Sequence, residues 1–234
     1  LIPYRLKGCT AVVWAGKTDK FYQLPTMDTG DPINKLTLKY EPENNISNNH
    51  LDALWHSGPL LMFSSENISN TENVSLVRNT NDITIGITRG NNPVDASKYD
   101  IQLITANNFY DYKNNVGESS KNIIYHPCSV EEEDSKTALQ TRLHTLRFIK
   151  DADTTFSITE KASGKTIDIG GKTTINLIDY LLMSKPKMMG DQEYLDRRYE
   201  WDINIRIGDK EENGYIALSI TINNWTYWFQ PTDM

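Results

Sequence analysis

A run of strict alternation near the C-terminus constrains this chain more than any other feature. Tyr199, Trp201, Ile203, Ile205 and Ile207 alternate with Glu200, Asp202, Asn204 and Arg206, the period of two that lets a strand bury one face and solvate the other. A polar loop, residues 208–214, follows. Beyond it Ile216, Leu218, Ile220 and Ile222 alternate with Tyr215, Ala217, Ser219, Thr221 and Asn223. Two strands of similar length with one short connection predict an antiparallel hairpin. After Asn224 the alternation loses its phase, and the chain runs through Trp225, Tyr227, Trp228 and Phe229 into a polar tail. A long apolar strand close to a terminus is a potential sheet edge, open to pairing with another chain.

Short strands at similar spacing fill the remainder. Residues 10–15, 21–24, 36–40, 60–63, 101–105, 123–126, 143–148 and 155–159 carry apolar or alternating runs between Gly-, Asn- and Ser-rich turns. Residues 51–55 fit one helical turn or a short strand. Residues 74–77 and 83–87 fit a hairpin or one long bent strand. Helical period is confined to the second half: Leu177, Ile178, Leu181 and Leu182 share one face, Pro186 stops that helix, and residues 192–197 offer a second turn. The polar stretch Asn107 to Asn122 suits a domain linker or a long loop. The expected fold is therefore all-β, with two tandem antiparallel β-sandwiches over residues 1–126 and 127–234 and one or two short helices in the second.

Composition and motifs exclude more than they suggest. A formal net charge of -7 argues against a nucleic-acid partner, which needs a basic face. No segment approaches the roughly 20 apolar residues of a membrane helix. Cys9 and Cys128 suit either one long-range disulfide or two small buried hydrophobes. Leu6-Lys7-Gly8-Cys9 has the look of a lipoprotein box, yet the five residues before it supply no apolar signal segment. The Asn-x-Ser/Thr triplets at Asn45, Asn67, Asn73 and Asn224 mark surface loops. Asp28-Thr29-Gly30 occurs once, in a polar loop, and reads as a turn rather than half of a proteolytic pair. His50, His56, His126 and His144 fall at no metal-binding spacing. Ser163-Gly164-Lys165-Thr166 lacks the leading glycine of a phosphate loop. No catalytic residue, metal or cofactor is expected, and an enzyme is the least supported class. Trp225, Tyr227, Trp228 and Phe229 suit core or end-cap packing better than stacking on sugars or anchoring a partner.

A set of motifs spread along the chain resembles the FimB-like minor fimbrial subunits, anchor-type components of pili in gut and oral Gram-negative anaerobes. They are Cys9-Thr-Ala-Val-Val-Trp-Ala-Gly16, with Cys9 where the family usually has tyrosine, then Leu54-Trp-His-Ser-Gly58, Val74-Ser-Leu-Val-Arg-Asn-Thr-Asn81, Tyr125-His-Pro127 and Leu146-Arg147. Ile175-Asn-Leu-Ile-Asp-Tyr-Leu-Leu182, Gln192-Glu-Tyr-Leu-Asp-Arg197 and Ile220-Thr-Ile-Asn-Asn-Trp225 complete the set. The resemblance implies transthyretin-like sandwiches and a place in a fimbria at the cell surface. It also implies attachment to the outer membrane through a lipidated cysteine upstream of this sequence, so that Cys9 is not the lipidated residue and the first sandwich lacks a strand. Its implied partners are other fimbrial subunits, joined when an extended segment of one chain adds to a sheet of the next. The candidates for that joint are Ile216, Leu218, Ile220, Ile222, Trp225, Tyr227, Trp228 and Phe229. Pairing of 215–222 within its own domain is the preferred expectation, which leaves 225–234 as the segment that reaches a neighbour. The alternative function is a cell-surface carbohydrate-binding module using Trp225 and Trp228, with host surfaces or glycans as partners.

Overall fold

The computed structural model describes residues 9–16, 20–57, 61–63, 74–128, 139–210 and 214–230. The longer strands are numbered β1 (Thr80–Arg89), β2 (Tyr99–Ala106), β3 (Asn122–Tyr125), β4 (Gln140–Leu146), β5 (Thr154–Glu160), β6 (Glu200–Lys210), β7 (Gly214–Ile222) and β8 (Trp225–Trp228). The helices are α1 (Leu177–Met183) and α2 (Asp191–Arg197). Among the described residues the fold is all-β apart from these helices and three single 3-10 turns.

The C-terminal alternation forms the hairpin it predicts: β6 and β7 pair antiparallel. They lie in a seven-stranded sheet with β1, β4, β8 and the short strands Asn92–Val94 and Asp168–Ile169. β1 runs parallel to β6, with Ile83 opposite Trp201, Ile85 opposite Ile203 and Ile87 opposite Ile205. Their matched alternation sends all six side chains to one face, where each is at most 2% exposed. A five-stranded sheet of Ile175–Asn176, β5, β2, β3 and Ile46–Ser47 supplies the opposing apolar face through Ile101, Leu103, Ile123, Phe156 and Ile158. The two faces and both helices meet in one connected core. Each side chain fully buried there contributes roughly 1.5–3 kcal/mol against exposure.

Local signals place the helices. Asn176 caps α1, its side chain accepting from the Ile178 amide, and Leu177, Ile178 and Leu181 are fully buried. Asp191 and Glu193 occupy the first turn of α2, where acidic groups favour the positive end of the helix dipole. The stretch between β2 and β3 is a pinned loop rather than a linker. Asn108 donates to the Tyr40 carbonyl and accepts from the Lys121 amide, and the Asn79 and Asn114 amides bond each other reciprocally.

Strand pairing runs across residues 126/127: β1 pairs with β4 and β6, and β2 pairs with β5. Two expectations need correction. The sheets are mixed rather than antiparallel: β1–β6, β7 with Asp168–Ile169, and β3 with Ile46–Ser47 are parallel pairs. Residues 74–87 form neither a hairpin nor one strand. Val77–Arg78 pairs with Leu54–His56 in a small separate sheet, and β1 begins two residues later in the large one. Residues 51–55 resolve to the strand option, Leu54–His56, which also pairs with Trp14–Gly16.

Candidate functional site

The C-terminal aromatic run forms one edge of the seven-stranded sheet. Asn223 and Asn224 both adopt positive φ, 46° and 73°, the conformation that a two-residue hairpin turn of right-handed twist requires at both central positions. Asparagine tolerates it better than other non-glycine residues. The turn reverses the chain so that Trp225 sits opposite Ile222, Tyr227 opposite Ile220 and Trp228 opposite Ser219. Phe229 extends the ladder by donating its amide to the Leu218 carbonyl. Asn223 locks the turn to β6, its side chain accepting from the Asp202 amide and its own amide donating to the Asp202 carbonyl.

The two faces of β8 differ. Trp225 and Tyr227 lie on the core side, where Tyr227 packs 5.8 Å from Tyr180 of α1 and 5.2 Å from Phe229. Trp228 lies on the outer side, 59% exposed, with the Arg206 guanidinium 5.8 Å from its ring. β7 covers one edge of β8; the other edge has no strand partner among the described residues. An antiparallel ladder directs alternate backbone N–H and C=O groups to each side, so this edge presents unpaired groups suited to another strand.

The β7 residues occupy other environments. Ile220 and Ile222 are fully buried in the protein's own core. Between them and Ile216 the register slips: Arg206 opposes Ser219 and Ile207 opposes Ala217, leaving Leu218 as the extra residue of a bulge. The bulge reverses the phase, so Ala217 is buried opposite Ile207 while Leu218 is 37% exposed and lies over Gly208. A strict alternation cannot announce such a slip. β7 has β6 on one side and β8 with Asp168–Ile169 on the other, so its backbone is enclosed. The sequence signal for the β8 turn was the Asn-Asn pair.

A second concavity went unnoticed in the sequence because its parts are far apart in the chain. A cleft of about 570 Å³ lies between α2 and the strands Leu54–His56 and Val77–Arg78. On one side the Arg78 guanidinium lies 4.2 Å over the Tyr199 ring, and the Trp55 ring meets Tyr199 edge-on at 6.1 Å. Arg78 is held by Asp82 at 2.6 Å and Thr80 at 3.0 Å. The other side is α2, fixed by a two-pronged pair of Arg147 with Asp196, both contacts 2.7 Å. Gln192 adds bonds to the Phe148 carbonyl and the Lys150 amide. Glu193 and Arg197, paired at 2.8 Å, form the exposed rim.

The shifted titratable groups owe their shifts chiefly to burial and to neighbouring hydrogen bonds and charges. Burial pulls the His56 imidazole down to about 4, and burial also lowers His50, reinforced by the His144 ring 4.0 Å away. Burial raises the phenols of Tyr110 and Tyr125. Burial of Asp82 opposes its ionisation, but hydrogen bonding from His144 and the Arg78 charge outweigh it and lower the carboxyl. Among the described residues no three His, Cys, Asp or Glu side chains are grouped to hold a metal ion, and no helix is long and apolar enough to cross a membrane. Asp28, Thr29 and Gly30 form the expected turn, closed by the Asp31 amide on the Asp28 carbonyl.

The family model of fimbrillin-A associated anchor proteins Mfa1 and Mfa2 matches residues 1–231. Among solved structures, a candidate polysaccharide-binding protein (DUF1812) from Bacteroides thetaiotaomicron is 27% identical with a TM-score of 0.76, over 94% of this chain and 76% of that one. A candidate adhesin from Bacteroides ovatus is 21% identical, TM-score 0.72, over 97% and 75%. The fimbrial anchor protein Mfa2 from Porphyromonas gingivalis is 17% identical, TM-score 0.67, over 96% and 78%. No curated protein matches the chain.

Proposed function

Since the chain belongs to the family of fimbrillin-A associated anchor proteins, we propose that it is the minor, anchor-type subunit of a cell-surface fimbria. In this reading it joins its neighbour by strand addition at the free edge of β8. A lipid on a part of the protein preceding Leu1 holds it at the outer membrane, and the assembled fibre supports adhesion. The family match along the whole chain carries the reading, and the unpartnered β8 edge gives it a physical means. Main-chain hydrogen bonds to an added strand give affinity, and Trp228 and Thr226 beside them would select its side chains.

The test is capture of the fimbrial stalk subunit by the full chain, measured by surface plasmon resonance. Thr226→Pro removes an edge amide at a position where proline is tolerated, and Trp228→Lys places a charge beside the same edge. Capture by the parent with at least a tenfold loss in both variants, at unchanged circular dichroism, is the expected result, on the order of the 1.4 kcal/mol that a tenfold change represents. Equal capture by all three proteins, or none by the parent, contradicts the proposal.

A second reading, recognition of carbohydrate at the cell surface, is favoured by one observation. A solved relative of the same fold, 27% identical, is a candidate polysaccharide-binding protein.

A further inference from the structure

Resting on that second reading, we propose that the cleft between α2 and the Trp55–Arg78–Tyr199 platform binds a neutral, hydroxyl-rich saccharide of one or two rings. Its volume, about 570 Å³, falls within the span of small-ligand clefts, roughly 300–1,000 Å³. Its floor is aromatic and held in place: Arg78 is clamped between Asp82 and the Tyr199 ring, and Trp55 braces Tyr199 edge-on. Aromatic side chains such as Trp55 and Tyr199 suit the C–H faces of a sugar ring, although Arg78 takes one face of Tyr199.

Charge selects among possible occupants. Each cationic group at the cleft already has a carboxylate partner, Arg78 with Asp82 and Arg197 with Glu193. The Asp196 carboxylate is likewise matched by Arg147. A phosphate or an ammonium ligand would find each of these charges already offset, whereas neighbouring hydroxyls can bond both members of a pair. At the rim Glu193 offers acceptors and Arg197 donors, with side chains 49% and 68% exposed. The α2 wall is preorganised by Arg147 and Gln192, so little ordering remains to oppose binding. Trp228, by contrast, stands on a sheet face beside Arg206 and shares no wall with this cleft.

The experiment is titration calorimetry of the full chain with cellobiose, mannobiose and N-acetyllactosamine, and with a heparin pentasaccharide as the anionic contrast. Glu193→Gln and Tyr199→Ala are compared with Trp228→Ala. Binding of at least one neutral sugar, weakened about tenfold or more by Glu193→Gln and Tyr199→Ala and unchanged by Trp228→Ala, is expected from loss of a charge-assisted hydrogen bond and of the platform. Glu193→Gln is nearly isosteric and removes one exposed charge, and unchanged circular dichroism is its control. Affinity unchanged in both cleft variants, loss in Trp228→Ala alone, or preference for heparin overturns the cleft assignment while carbohydrate recognition stands. No binding of any neutral sugar at about 10 mM overturns both and leaves the anchor role to its own test.

Discussion

Single residues in this protein act mainly by closing polar accounts inside the core. Arg147 does so three times, pairing with Asp196 through Nε and Nη2 and donating to the Asn114 carbonyl through Nη1. Its truncation strands a carboxylate that is only 18% exposed. Arg147→Ala is therefore expected to cost about 2–4 kcal/mol, read as a lowered urea midpoint, with Asp196→Asn costing less because the amide still accepts. His56 is fully buried with a folded pKa of about 4 against an ordinary 6.5. The unfolded chain thus binds the proton first, and stability falls as pH drops below 6.5 and levels off below about 4, by up to roughly 3 kcal/mol. His50, lowered in the same direction, adds to the slope. Urea titrations at several pH values should show a shallower decline in His56→Gln than in the parent; an identical decline contradicts the assignment. None of this was legible beforehand, because burial of His56 and the pairing of Arg147 with α2 depend on contacts between distant parts of the chain.

At the scale of elements, the sequence showed which strands exist better than how they join. The alternation of Tyr199 to Ile207 predicted β6 and its buried face, and Leu177, Ile178 and Leu181 predicted the buried side of α1. β7 was found with its inner phase wrong over half its length, because the bulge at Leu218 reverses it. β8 has no such signal, because four residues, three of them aromatic, show no period. The turn that lays it down is encoded in Asn223 and Asn224. Replacing both with alanine forces two alanines into the left-handed region, at roughly 1–2 kcal/mol each. That variant should lose protection of the Tyr227 and Phe229 amides, which face β7, in hydrogen exchange while β6 stays protected, whereas Asn224→Gly should retain both.

At the scale of the molecule, strand pairing crosses the expected boundary at 126/127. Sequential reading assigns strands to their chain neighbours, but here β1 pairs with β4 and β6 from beyond residue 126, and β2 with β5. Fragments 1–126 and 127–234 would each lose a sheet partner for their longest strands, so each alone should give a poorly dispersed amide spectrum, and a folded fragment would contradict the topology. Among the described residues β8 forms one end of the seven-stranded sheet, with β4 and Asn92–Val94 at the other. Hydrogen–deuterium exchange of the Trp225–Trp228 amides, with and without the fimbrial stalk subunit, tests the anchor reading most directly. Slowed exchange at Thr226 and Trp228 on complex formation is the predicted result; a complex that leaves those amides exchanging as in the free protein would contradict it.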